Sequence, residues 1–120
     1  MREVLQMLEG APGILGALVL TSDGVLVASV PERDAELHER IAAFVSMLMV
    51  SMEKDAAELG LKPVRRITFW AAKGRILILP AESFSLVMLA DRETDLGTAF
   101  GEIGGVMRAL LKSSRIHIDV

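Results

Sequence analysis

The sequence predicts a single α+β domain in which one antiparallel five-stranded sheet carries helices on both faces. Five short apolar runs are separated by turn residues, which is typical of antiparallel strands. A long segment of helical periodicity lies between the second and third runs, and shorter helical segments stand near both ends of the chain. The resulting order, α-β-β-α-β-β-β-α, assigns residues 1–120 to one domain.

The composition fits one folded domain and excludes several classes of function. Hydrophobic residues make up 52% of the 120 residues and charged residues 24%, which argues against disorder. The net charge of −3 and the scarcity of aromatic residues disfavour a nucleic-acid partner. The absence of cysteine excludes disulfides, thiolate zinc sites and cysteine nucleophiles. No apolar stretch reaches the roughly 20 residues that cross a bilayer. We therefore expect a cytoplasmic protein without a signal peptide or membrane insertion.

The N-terminal part is predicted to form a short helix and a hairpin. "REVLQMLE" has apolar residues at helical spacing, and "GAPG" ends that segment. Two apolar runs, 14–20 and 25–30, flank the turn "TSDG". Asp23-Gly24 between two such runs favours a tight hairpin. Pro31 cannot continue a strand ladder, so it should end the second strand.

The predicted long helix is apolar on two sides. We expect it to begin after the N-cap Asp34, to run from about Ala35 to Leu59 and to end at Gly60. The stripe expected to pack on the sheet consists of Leu37, Ile41, Phe44, Leu48, Met52, Ala56 and Leu59. A second face consists of Ala43, Ser46, Met47, Val50 and Ala57. One short chain has little left to cover that face, so a partner is expected.

The second half is predicted to form three strands and a last helix. The strands are expected at 64–72, 75–80 and 85–90. A tight turn at 73–74 joins the first two of them, and Thr94 or Asp95 should cap a helix that ends near Lys112. The tail, 113–120, alternates apolar and polar residues, so we expect either a short extra strand or a loose arm.

Three stretches in this order resemble the roadblock/dynein light-chain domain family: "APGILGALVLTSDGVLVAS", "GRILILP" and "LVMLADRETDLG". The resemblance covers nearly the whole chain. It implies a homodimer in which the second strand pairs with its mate and the two long helices lie side by side. On this sequence the pairing edge falls on Val25, Leu26, Val27, Ala28, Ser29 and Val30. The lack of charge along this strand agrees independently, because an apolar edge is a liability unless it is paired.

The resemblance also implies a partner. Prokaryotic members of the MglB type are regulators that dock on small Ras-like GTPases through the paired helices. The expected docking residues are Ala43, Ser46, Met47, Val50 and Lys54. Sequence leaves open whether this face lies in the dimer contact or stays free for the GTPase.

No group of residues predicts catalysis, a cofactor or a metal site, so we do not expect an enzyme. His38 is expected to be a solvated helix residue. His117 and Asp119 would share one face of a strand, but two ligands do not make a zinc site. An arginine supplied in trans can accelerate GTP hydrolysis. The candidates are Arg65, Arg66 and Arg75, whose places at strand starts are more typical of solvated edge residues.

These observations leave a preferred function and two alternatives. The preferred one is a homodimeric regulator or scaffold that binds a small Ras-like GTPase and either stimulates GTP hydrolysis or recruits the GTPase to a complex. The alternatives are a small-molecule sensor and a scaffold dimer without a GTPase. The predicted inner faces contain Leu, Ile, Val and Phe rather than the polar groups of a ligand pocket, which disfavours the sensor.

Overall fold

A computed structural model of the chain describes residues 2–61 and 63–118, with side chains up to Lys112. Within these ranges the elements follow the predicted order. They are α1 (Arg2–Glu9), β1 (Ile14–Thr21), β2 (Leu26–Val30), α2 (Ala35–Glu58), β3 (Ile67–Ala71), β4 (Gly74–Pro80), β5 (Phe84–Ala90) and α3 (Gly97–Ile118). The predicted fold class, a five-stranded antiparallel sheet with helices on both faces, is confirmed.

The strands form one antiparallel sheet in the order β2-β1-β5-β4-β3. The two long central strands, β1 and β5, are buried on both faces, and β2 and β3 form the two edges. Helices α1 and α3 cover one face, where Leu5, Met88 and Leu110 belong to the larger core cluster. Helix α2 covers the other face, where Val45 packs with Leu18 and Ile78. The sheet thus separates two apolar cores.

The predicted β1–β2 hairpin is confirmed. Gly24 has φ +90°, a conformation that favours glycine, and its N–H donates to the Thr21 carbonyl at 3.0 Å. The Thr21 hydroxyl accepts from the Val25 N–H at 3.0 Å and donates to the Asp23 carboxylate. This last hydrogen bond lowers the pKa of Asp23 below its ordinary value. Pro31 follows β2 directly, as expected.

Helix α2 begins at Ala35 after Asp34 and ends before Gly60, as predicted, but the predicted capping hydrogen bond at its start is not formed. A 3-10 turn, Glu32–Asp34, leads into it, and the Asp34 side chain makes no capping hydrogen bond. At the other end, Gly60 has φ +71°. The Gly60 N–H donates to Ala57 at 3.3 Å and the Leu61 N–H to Ala56 at 2.8 Å. This pair of bonds is a Schellman motif, which satisfies two of the last helical carbonyls.

The stripe of α2 that packs on the sheet differs from the prediction by a rotation about the helix axis. Its buried members are His38, Ala42, Val45 and Ala56, flanked by partly buried Ile41, Leu48, Met49 and Met52. Leu37, Phe44 and Leu59, which were expected in the core, are exposed. Because α2 is apolar nearly all the way round, hydrophobic periodicity alone does not fix which stripe faces the sheet.

The expectation that His38 is solvated is wrong. Its side chain is fully buried, and neither ring nitrogen has a hydrogen-bond partner. Burial lowers the pKa of His38, and the charge of Asp34 opposes that shift in part. A Cβ added to Gly16 would lie 3.0 Å from the Val30 carbonyl oxygen and 3.2 Å from the His38 ring, so a glycine in β1 makes room for the imidazole.

Strand β3 is shorter than predicted and begins at Ile67. Its register pairs Ile67 with Ile78, so a longer strand would set Arg65 opposite Pro80, which has no N–H to donate. The turn to β4 lies at 72–73 rather than 73–74, because Ala71 pairs with Gly74.

Helix α3 begins at Gly97, so Leu96 rather than the predicted Thr94 or Asp95 precedes it, and the helix extends beyond its predicted end. The Asp95 carboxylate accepts from the Gly97 N–H at 3.0 Å, as expected of a residue near the helix start. The extra strand expected at 113–120 is not found in the described part, because α3 continues to Ile118. No glycine or proline follows Gly105, so nothing local stops helix propagation. Asp119, and with it the His117–Asp119 pair, lies outside the described residues.

Candidate interaction surface

Strand β2 presents an uncharged, partly apolar edge. Among the described strands it pairs with β1 alone, and a bulge leaves Val27 as an extra residue between the Ala28–Val19 and Leu26–Leu20 pairs. Val27 is 47% exposed, and Val25, just before the strand, is 56% exposed. No charged side chain occurs between Asp23 and Glu32. This edge therefore lacks the lysines that usually prevent edge-to-edge pairing.

The outward side of α2 carries an exposed surface that we call the crest: Ala43, Phe44, Met47, Val50 and Ser51. Met47 is 77% exposed and Val50 73%. Charged residues flank the crest at Arg40 and at Glu53 and Lys54, and none occurs in the twelve residues between, 41–52. Exposed apolar residues clustered in this way mark an interaction surface.

Ser46 fixes the position of the hairpin turn beside the crest. Its hydroxyl lies 2.7 Å from the Ala42 carbonyl oxygen and 3.2 Å from that of Gly24. A Cβ added to Gly24 would overlap the Ser46 hydroxyl. On the other side of the helix, Phe44 packs edge-on against Phe69 of β3, with ring centroids 6.0 Å apart. The Ser46 side of the crest thus faces the β1–β2 turn and the Phe44 side faces β3.

The structure brings six of the eleven predicted interface residues to the surface, and the other five are buried or part-buried. Leu26 and Ala28 are part-buried against the two cores. Ser29 and Val30 have buried side chains, so only their backbone could take part in a contact between copies. Ser46 is part-buried against Gly24 instead of lying open for docking. Ala43, Met47, Val50 and Lys54 are exposed, as a docking surface requires. The sequence analysis did not include Phe44 among the docking residues. The signal that could have identified it is the uncharged run of α2 around Met47.

Of the three arginines weighed as residues acting in trans, Arg75 is held in place. Its Nε donates to the Asp91 carbonyl and its Nη2 to the Thr94 carbonyl, both at 2.6 Å. The Asp91 carboxylate accepts from the Thr94 hydroxyl at 2.6 Å and from the Thr94 N–H at 2.8 Å, and these bonds lower the pKa of Asp91. Arg66 lies over the Phe100 ring at 4.9 Å. Arg75 is therefore a structural residue that ties β4 to the loop before α3.

Two adjoining clefts lie where α2 meets the turns at one end of the sheet. Their volumes are about 330 and 310 Å³, and they share Met49, Glu53, Pro80, Ala81 and Glu82. The 330 Å³ cleft is lined mainly by apolar side chains, and among the residues that the structure describes no Lys or Arg lines either cleft. Carboxylates of Glu53 and Glu82 repel phosphate, so these clefts do not suit a nucleotide.

Two further features concern metals and membranes. Among the residues that the structure describes, no group of three or more His, Asp or Glu side chains could hold a metal ion. In the same part of the chain, none of the helices is both long enough and apolar enough to span a membrane.

Comparison with known proteins decides the family. The Roadblock/LC7 domain model matches residues 1–90. The chain belongs to the Roadblock/LC7 family. Two uncharacterized proteins of Methanocaldococcus jannaschii, MJ0310 and MJ1340, are each 33% identical over 96 residues, which is 78% of this chain and 82% of theirs.

Solved Roadblock/LC7 structures share the fold. The Roadblock/LC7 domain from Streptomyces avermitilis superposes with a TM-score of 0.78 at 21% identity, covering 100% of this chain and 98% of that one. Myxococcus xanthus MglB gives a TM-score of 0.83 at 17% identity, covering 95% and 94%. The gliding protein MglB of Thermus thermophilus gives 0.71 at 20% identity, covering 92% and 84%. At these identities the likeness establishes the architecture of the domain.

Proposed function

We propose that this Roadblock/LC7 chain is a non-enzymatic homodimer that binds a small Ras-like GTPase through its paired α2 helices, as a regulator or a scaffold. The observation that carries the proposal is the juxtaposition of an uncharged open edge at β2 with an uncharged exposed crest on α2. Both features favour protein contacts, and Ser46 places them side by side. The family resemblance adds the kind of partner.

The homodimer is proposed to form through β2. Pairing β2 with β2 of a second copy would join two five-stranded sheets and cover Val25 and Val27. The mates would approach on the β2 side of each domain. The flank of α2 that carries Ser46 and Val50 adjoins the β1–β2 turn, so this flank would approach the α2 helix of the mate.

The same geometry supports a proposal that divides the crest between two contacts. Ala43 and Val50 lie on the side of Ser46 and are assigned to the helix–helix contact of the dimer. Met47 lies at the top of the crest and is assigned to the GTPase, together with Phe44 on the opposite side. Methionine side chains adapt to different partner shapes, which suits a surface that receives a mobile switch loop.

The proposal is tested by measuring binding of Ras-like GTPases from the same genome, loaded with GDP or with a GTP analogue. Calorimetry should detect binding to the wild-type dimer. Met47→Arg should abolish it while light scattering still reports a dimer, and Val50→Arg should weaken the dimer itself. Glu102→Arg, at an exposed position on α3, is the control and should alter neither property.

The outcomes separate the candidate functions. A Met47→Arg dimer that retains full GTPase binding would move the docking site away from the crest. A wild-type dimer that binds none of the GTPases would favour the scaffold without a GTPase. Without a GTPase, the chain should neither bind nor hydrolyse GTP or ATP, and micromolar nucleotide binding would contradict the non-enzymatic assignment.

A small-molecule sensor is a second candidate, because the larger cleft reaches the size of small ligand sites. Its apolar lining with Glu53 and Glu82 at the rim suits a cationic apolar ligand. A thermal-shift screen of apolar amines tests this candidate, and Met52→Trp, which would fill the cleft, should remove any shift.

A further inference from the structure

The start of α2 is held on the sheet by a single buried side chain. From Glu32 to Arg40, a stretch that the structure describes completely, His38 is the one residue with a buried side chain. The next buried residues of α2 are Ala42 and Val45, about one and two helical turns further along. The attachment of the helix start to the core therefore depends on the imidazole of His38.

The polar contacts of this segment hold it only weakly. The Asp34 side chain makes no capping hydrogen bond to the start of α2. The Asp34 N–H donates to the Pro31 carbonyl at 3.2 Å, a bond within the turn itself. An ion pair joins Glu32 to Arg2 of α1 at 3.5 Å, but both side chains are at least half exposed, so this pair contributes little. Release of the imidazole would therefore free the turn together with the start of the helix.

The site that holds the imidazole is destabilising in two ways. An added Cβ at Gly16 would lie 3.2 Å from Nε2 of His38, so the ring occupies space that a side chain of β1 would otherwise fill. A glycine in the interior of a strand weakens that strand. Both ring nitrogens of His38 are buried without a hydrogen-bond partner in the described part of the chain, which is also unfavourable. A buried, unpaired polar group of this kind needs an explanation beyond packing.

The surroundings of the imidazole are almost free of charge. Strands β1, β2 and β5 meet at this site through Gly16, Val30 and Leu89, and none of these strands contains a charged residue. The charge of Asp34 acts on His38 and opposes in part the lowering of its pKa by burial. The other charged residues of the 3-10 turn and of the first two turns of α2 are exposed: Glu32, Arg33, Glu36, Glu39 and Arg40. A proton on the buried ring would thus face one carboxylate and an apolar sheet.

We propose that His38 is a pH-sensitive latch of α2: a proton bound to its imidazole releases residues 31–41 from the sheet, while Ala42 and Val45 keep the rest of the helix in place. The charged ring would leave the apolar site for water, because burying an unpaired charge costs far more than burying a neutral ring. The crest begins at Ala43, two residues beyond this segment. Release would therefore alter one end of the crest, and its effect on GTPase binding rests on the proposed function.

Native-state hydrogen exchange, followed by NMR, tests whether the segment is released locally. In a helix the amides of residues 39–42 donate to the carbonyls of residues 35–38, so release removes their protection. These amides should exchange faster than amides 17–20 in the central strand β1. Their exchange should also depend little on low concentrations of urea, because local release exposes far less surface than global unfolding does.

The pH dependence of this exchange identifies the proton. The released ring has about the ordinary histidine pKa of 6.5, so the protection factors of amides 39–42 should fall by up to about tenfold from pH 7.5 to 5.5, after correction for intrinsic exchange rates. His38→Leu and His38→Gln bind no proton there and should remove this fall. His117→Gln changes the other histidine of the chain and is the matched control, which should keep the fall. Asp34→Asn removes the opposing charge and should bring the fall closer to tenfold.

Three results would overturn the proposal: amides 39–42 with the same protection and urea dependence as β1, protection in the wild type that does not change between the two pH values, or a fall that persists without His38. If one of the two His38 variants fails to fold, the other decides. The dimer mass and GTPase binding are measured at both pH values on the same samples. Because the exchange experiment needs no GTPase, failure of the latch is distinguishable from failure of the proposed function.

Discussion

Replacing Val27 by lysine is expected to weaken the homodimer strongly. Val27 is 47% exposed in the single chain, and the proposed β2–β2 contact would cover that part. Burying a whole valine side chain contributes about 1.5–3 kcal/mol, so covering about half of one contributes about 1 kcal/mol per copy. Two-fold symmetry doubles this to about 2 kcal/mol, or roughly a 30-fold change in the dissociation constant. The lysine charge adds a desolvation cost, so 30-fold is a lower estimate.

Sedimentation velocity over a dilution series measures this constant for the wild type and for Val27→Lys. Leu61→Lys, which places a lysine at another exposed apolar position beyond the end of α2, is the control and should leave the constant unchanged. Circular dichroism should show the same fold in all three proteins. If Val27→Lys dimerises as tightly as the wild type, β2 is not the pairing edge and the reasoning from its lack of charge is wrong.

Three further predictions concern stability. The free energy of unfolding should fall as the pH drops below about 6.5, the ordinary histidine pKa, because the lowered pKa of buried His38 lets the unfolded chain bind a proton before the folded chain does. In urea titrations, the pH slopes of this free energy for wild type and His38→Leu should differ by at most about 1.4 kcal/mol per pH unit. Parallel pH profiles of the two proteins would contradict this. Asp91→Ala should lower the melting temperature, because Thr94 and Arg75 lose a charged partner, and an unchanged melting temperature would refute that. Gly24→Ala should cost at least about 1 kcal/mol through its positive φ and its overlap with Ser46, whereas Gly101→Ala, which meets nothing within 4 Å, should not destabilise.

The sequence was sufficient for the fold where local chemistry decides the structure. Asp23-Gly24 between apolar runs predicted the hairpin, and Gly60 predicted the end of α2, because each places a flexible glycine where the chain turns. The prediction begins β3 too early, because the first residue of this strand depends on Pro80. Pro80 lies opposite the predicted first part of the strand and is distant from it in sequence. Alternation over a few residues at 113–120 predicts a short strand or a loose arm, but this is a weak signal compared with continuation of α3.

The candidate surface was predicted in outline and misassigned in detail. The uncharged run of β2 predicted a pairing strand; the structure shows that β2 is an edge strand, and its pairing with a second copy stays a prediction. On α2, the polar His38 is predicted to be solvated. Without His38 in the core, the stripe predicted to face the sheet is rotated toward Leu37 and Phe44. Ser46 was assigned to the open face because sequence does not show that the hairpin turn returns to contact it. Contacts between elements distant in sequence decide these assignments.

The solution mass of the unmodified chain tests the central claim most directly, because the joined sheet and the paired crests both require two copies. Light scattering at micromolar concentration should give about twice the 13.0 kDa mass of the chain, and the value should hold on dilution across that range. A mass of 13.0 kDa at these concentrations would contradict the account, since the β2 edge and the crest would then be exposed on a stable monomer.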